Sequence, residues 1–318
     1  MNQIDISKIF FPHHNKALEH IENEKISFAH YTNADTAFKI IKNQEIWLRN
    51  ITLMNDYREF EHGKDSLVKL IRDSEEGKAL KLIFDKISPN VFEKTFSNFE
   101  NWAPYVKDDF YISCFSEHTS NDVENIGRLS MWRAYGGNAG VAIIFKHDLF
   151  KMLTSIAKLD FSSVAYLKDE RLKKEIANLG ESISSNLEKI KTIEPNILGN
   201  YLFNILRFSA LCNKHKGFEE EQEWRLIATA SVLPQNEFIA QEILTIRGTP
   251  QKIVKIKLSE ATYEGLQFKD MIDKVIIGPC QFPFEIKKSV ISALKDIGIV
   301  EPEKGIVRVS SIPLRMNH

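Results

Sequence analysis

The feature that most constrains this chain is the order in which its strands and helices follow one another. The clearest strand is Gly140-Val-Ala-Ile-Ile-Phe145, an apolar run set off by Gly136-Gly137. Further strands are expected at 26–32, 46–49, 110–116, 164–167, 223–229, 252–258, 273–277 and 306–310. They are short, rich in β-branched and aromatic residues, and bounded by polar or glycine positions. Between them, 57–100 reads as largely helical. Residues 168–212 read as two helices broken near Glu194-Pro195, and 284–297 as one helix. Asn33 is placed to cap a short helix carrying Ala37, Phe38, Ile40 and Ile41. Strand and helix do not alternate regularly, so the pattern predicts an α+β fold with a mixed sheet rather than a doubly wound one. No linker or repeat marks a boundary, and 1–318 reads as a single α+β domain with helical insertions at about 57–100 and 168–212.

Composition narrows the function classes. A net charge of -1 argues against binding polyanions by bulk electrostatics. Cys114, Cys212 and Cys280 are widely spaced and odd in number, which fits no disulfide framework and suits a reducing cytoplasm. The first residues lack a basic stretch followed by an apolar run, and no apolar segment approaches the ~20 residues of a spanning helix. A soluble, cytoplasmic protein with no membrane association is expected. No Gly-rich phosphate loop and no Gly-x-Ser-x-Gly elbow occurs.

The densest chemistry lies in Phe218-Glu-Glu-Glu-Gln-Glu-Trp-Arg-Leu-Ile-Ala-Thr229, where four carboxylates run into an apolar strand. A carboxylate held at the mouth of a buried strand can stabilise positive charge on a reacting centre. The plainer reading is a solvated loop before a strand. His30-Tyr31-Thr32 puts an imidazole and a hydroxyl on one strand face, suited to a sugar diol or diphosphate. On residue type alone, a satisfied histidine near a strand end is the favoured reading. Asn55-Asp56 with Glu59 reads as a helix start, and capping accounts for much of it. Trp132 and Tyr135 share a helical face before the glycine pair, where they could wall a planar ring or simply pack. Cys114-x3-His118 and Cys212-x2-His215 have zinc-compatible spacing, but both cysteines sit in apolar segments, and no metal site is assigned.

Together these stretches resemble a bacterial family known only as a domain of unknown function. The landmarks are His30-Tyr31-Thr32, Trp47, Asn55-Asp56 with Glu59, Cys114-Phe115-Ser116, Met131-Trp132-x-x-Tyr135 and Gly140 to Phe145. Phe218-x-x-Glu221-x-Glu223-Trp224-Arg225, Ile276 to Pro279 and Ser311 to Arg315 complete them. A second similarity is to the His-Tyr-Glu signature of the ADP-ribosyltransferases. It implies a split mixed sheet gripping NAD as co-substrate, with His30, Tyr31, Thr32, Trp132 and Asn55 as cofactor-binding residues. Tyr135 and the carboxylates Glu223 and Glu221 would then be catalytic, with Glu219 and Glu220 as solvated bystanders.

That resemblance further implies a bacterial toxin or phage-defence effector modifying a protein or nucleic acid, with a neutralising antitoxin protein as partner. It requires His30, Tyr135 and Glu223 to surround one cleft. A non-catalytic nucleotide- or partner-binding module on the same fold is the alternative. A metal-dependent nuclease built on Asp56, Glu59 and Glu223 is a third possibility.

Overall fold

A computed structural model describes residues 3–53, 57–119, 126–167, 169–246 and 248–313. The chain divides into two compact units, and the helical insertions fall together in one of them. That unit takes in Met1–His20, Ile51–Asp109 and Ser162–Glu220. Its main helices are Tyr57–Asp73, Glu75–Ile87, Val91–Trp102, Asp169–Ser184 and Pro195–Leu211. Ser74 starts the second of these by accepting a hydrogen bond from the Gly77 amide. Pro195 opens the last helix at a position where a missing N–H costs nothing. The core is aromatic. Phe10 stacks on Tyr201 at 4.7 Å, and Phe99 and Trp102 both pack edge-on against Phe203.

The other unit takes in Ile21–Asn50, Phe110–Phe161 and Glu221–His318 and carries the sheet. Its strands are β1 (Ser27–Asn33), β2 (Glu45–Asn50), β3 (Phe110–His118), β4 (Ala139–Phe145) and β5 (Asp160–Ser163). The chain passes from one unit to the other within β5. There follow β6 (Glu223–Thr229), β7 (Ile239–Ile246), β8 (Thr249–Lys257), β9 (Ile272–Cys280) and β10 (Val307–Val309). The main path runs β10-β9-β4-β1-β3-β2-β8-β7, with β6 on β3. Only the β9–β10 pair is parallel among the registers described, so the sheet is mixed and largely antiparallel.

The sheet forks at β3. One edge of β3 pairs with β2 through Tyr111 and Ile112, and with β1 through Ser116, Glu117 and His118. Around Ser113 to Phe115 the two partners part, while β6 covers the other edge from Phe110 to Ser116. Asn33 caps the helix Ala34–Asn43, accepting from the Thr36 amide at 2.8 Å.

Two expectations need correcting. Residues 164–167 form no strand; the strand lies just before, at Asp160–Ser163, and Ala165 makes an isolated bridge to Asn213. β7 was not foreseen, nor were the helices Gln3–Phe10 and Pro12–Glu24. Among the described residues no helix is long and apolar enough to cross a membrane.

Candidate functional site

The sheet's two faces decide which candidates meet. In antiparallel pairs, directly opposed residues share a face. Ala29 opposes Ser116, and Ser116 opposes Glu223. Ala29 and Tyr31 pack with Met131, Trp132, Ala142, Ile144 and Ile276, and Tyr135 lies against that cluster. Glu223, Tyr31, Trp132 and Tyr135 therefore belong to one face. Phe28 and Phe115 belong to the other, where Phe28 meets Phe150, Phe161 and Trp224 edge-on.

His30 follows Phe28. Its ring lies 5.2 Å from that of Phe115, and its Nδ1–H donates to the Cys114 carbonyl at 3.0 Å. Cys114 sits in the fork, between the stretches of β3 that the described registers pair with β2 and with β1. The imidazole thus fills a gap in backbone hydrogen bonding. Burial holds its pKa below the usual histidine value, opposed by that hydrogen bond. The ring is neutral at pH 7. His30, Tyr135 and Glu223 do not surround one cleft, because period-two alternation along β1 sends His30 and Tyr31 to opposite sides. Thr32, two residues beyond His30 and half-buried, follows the same alternation.

Glu223 is 4% accessible and forms an ion pair with Arg225, two residues on along the same strand face. Nε meets Oε1 at 2.8 Å and Nη2 meets Oε2 at 3.4 Å. Arg225 is buried as well. A carboxylate so engaged is first of all a structural counter-charge. Trp224, on the opposite face, stacks on Phe161 at 4.8 Å and donates to Glu117 Oε1 at 2.8 Å.

Trp132 is 2% accessible and cannot present its ring to a ligand. It sits in a slot made by glycine. A Cβ on Gly127, Gly140 or Gly278 would fall 2.5, 2.9 or 2.7 Å from its ring atoms. Its indole N–H donates to the Ile126 carbonyl, which also accepts from Ser310. The Tyr31 hydroxyl is turned inward as well, accepting from the Arg128 amide at 3.1 Å. Asn55 and Asp56 lie outside the described residues, as does the Glu59 side chain.

What gathers at the mouth of β6 is a smaller set. Trp132–Gly136 forms a π-helical turn, an arrangement frequent at functional sites. It carries half-buried Tyr135 toward Glu221, whose Oε2 lies 3.4 Å from the phenol oxygen. Arg128, missed as a positioning group by the sequence reading, ties the corner together. Its guanidinium donates to the carbonyls of Glu117 and Glu221 and to the Gln222 side chain. Gln222 has φ of 43°, a left-handed conformation that turns the chain between Glu221 and Glu223. Glu221 is half-buried, while Glu219 and Glu220 are exposed. No group of three or more His, Cys, Asp or Glu positioned for a metal ion occurs among the described residues.

A family described as "Protein of unknown function (DUF2971)" matches residues 131–226. The matched stretch opens on Met131-Trp132 and closes on Glu223-Trp224-Arg225-Leu226, so it contains both Tyr135 and Glu221. His30, Asn55, Cys114 and the later landmarks fall outside it. No curated protein and no solved structure matches the chain.

Proposed function

We propose that the protein is a binding module for a nucleotide-type ligand, which it holds by sugar hydroxyls at the Tyr135–Glu221 pair. The observation that carries this reading is the division of labour in the acidic cluster. Glu223 is buried against Arg225, whereas Glu221 keeps part of its surface in solvent beside a phenol. A carboxylate accepts from two vicinal hydroxyls, and a phenol both donates and accepts, which suits a ribose diol. Arg128 fixes the backbone on which Glu221 rides, so little ordering is left for the ligand to impose.

A second reading keeps NAD-consuming ADP-ribosyl transfer, with Glu221 rather than Glu223 as the carboxylate that stabilises an oxocarbenium-like ribose. The forked sheet and the Tyr135–Glu221 pair favour it. The position of His30 and the burial of Trp132 count against it. Under this reading the chain would be a toxin or phage-defence effector acting on a protein or nucleic-acid acceptor.

One experiment separates the readings. NAD and ADP-ribose are titrated by calorimetry against wild type, Glu221→Gln and Glu223→Gln, and nicotinamide release is followed with lysate, RNA or DNA present. The binding reading expects Glu221→Gln to weaken either ligand about tenfold or more, the worth of a charge-assisted hydrogen bond, without nicotinamide release. Release abolished by Glu221→Gln would establish the transferase instead. Absence of binding by both ligands would overturn both.

A further inference from the structure

The helical unit holds a cavity of about 160 Å³ that the sheet-side site does not use. Phe10, Phe11 and Phe208 supply aromatic walls, and Leu172, Leu179 and Ile205 supply aliphatic ones. Phe11 and Phe208 meet edge-on at 6.2 Å, so the walls are braced by their own packing. Engineered cavities of roughly 150 Å³ with similar linings take up benzene, so a single ring is the expected size of ligand.

Polar groups interrupt the apolar lining: Glu175, Ser209 and His14, with His13, Ser162, Ser163 and Asn213 beside them. Glu175 and Ser209 face the cavity from different helices, and neither takes part in a hydrogen bond or ion pair among the described residues. Both are half-buried. His14, also on the wall, has its pKa lowered to about 4 by burial and by neighbouring His13, and it carries no charge at neutral pH. The cavity therefore combines aromatic faces with a carboxylate and no opposing charge from His14. Aromatic rings beside a carboxylate favour an organic cation.

We propose that this cavity binds a small amphipathic amine, its apolar ring among Phe10, Phe11 and Phe208 and its ammonium group on Glu175. Ser209 supplies a second acceptor for the ammonium hydrogens. The aromatic walls and the carboxylate would act together, so neither a neutral ring nor an anionic one is an equal substitute.

The test titrates the full chain at pH 7.5 with benzylamine, benzyl alcohol and benzoate, three rings of one size and different charge. Benzylamine is expected to bind about tenfold or more tightly than benzyl alcohol, and benzoate not to bind. Glu175→Gln should erase the preference for the amine. Ser209→Trp should fill the cavity and abolish binding of both. Phe208→Ala, which removes one wall, serves if that variant fails to fold by circular dichroism. Benzylamine should also shift the His14 imidazole signals in NMR. Equal binding of alcohol and amine, a preference that survives Glu175→Gln, or binding indifferent to Ser209→Trp and Phe208→Ala would each overturn the proposal. So would absence of benzylamine binding.

Discussion

Replacing Arg225 by methionine tests whether Glu223 is a structural counter-charge or a working acid. The two side chains are 5% and 4% accessible, with their closest atoms 2.8 Å apart. At an effective dielectric of ~20, charges at that separation attract by about 6 kcal/mol. Desolvation of both ions offsets much of this, so the intact pair contributes little net stability. Removing one partner is different, because a buried charge then lacks its main compensation. Arg225→Met should cost about 3–5 kcal/mol, and Glu223→Gln a comparable amount. Replacing both, as Glu223→Leu/Arg225→Met, should return stability to within about 1–2 kcal/mol of wild type.

Urea unfolding followed by tryptophan fluorescence suits the measurement, since Trp47, Trp132 and Trp224 all lie in the sheet unit. Two results would refute the reasoning. If the double variant loses the sum of the single losses, the two groups do not compensate each other. If Glu223→Gln raises stability, the carboxylate is held against its surroundings, as functional groups often are.

Two further outcomes are expected. Gly278→Ala drives a methyl group to 2.7 Å from the Trp132 ring and should destabilise by about 1–3 kcal/mol, measured by urea midpoint and by loss of near-UV circular dichroism. For His14 the folded pKa of about 4 lies below the unfolded value near 6.5, so the unfolded chain takes up the proton first as pH falls. Its contribution is complete above about pH 6.5 and is lost on the way down to pH 4, by up to about 3 kcal/mol. His14→Gln should flatten that part of the urea-midpoint profile, and identical slopes for the two proteins would contradict the assignment.

The sheet was legible where side-chain chemistry and strand identity coincide. Gly140 to Phe145 and Glu223 to Thr229 announce themselves by apolar and β-branched runs, and both are strands. β7 has β-branched residues too, at Ile239, Ile243, Thr245 and Ile246, but Gln241 and Glu242 interrupt them. Ile239-Ala-Gln-Glu-Ile-Leu-Thr-Ile246 is an edge strand with Ile243 75% accessible, and pairing with β8 along its whole length gives it form. Val164 to Leu167 reads as β from its side chains, yet the chain there has left the ladder.

For the site, Tyr135 and Glu221 are legible in the sequence as residue types, and their approach to 3.4 Å depends on a π-helical turn that no residue pattern announces. The grouping of His30 with Glu223 failed for a physical reason. Strand alternation was applied within β1, but the face each strand presents is fixed by cross-strand register, which only the folded sheet reveals. The positioning role of Arg128, which reads from sequence only as a cation able to steer a phosphate backbone, was missed because its partners are mostly backbone carbonyls, to which a sequence gives no address.

The slot around Trp132 has a consequence for how this chain can vary over evolutionary time. Gly127 and Gly140 flank the turn that carries the indole and Gly278 reaches it from β9, and each leaves room that a methyl group would take. Of the three, Gly278 is the one whose space is limited by the indole alone. A lineage that shrinks the tryptophan releases Gly278 to drift, whereas Gly127 stays held by its φ of 77° and Gly140 by the Gly136 backbone 3.0 Å from its Cβ position. Linked change at Trp132 and Gly278 would mark which relatives keep the turn that carries Tyr135.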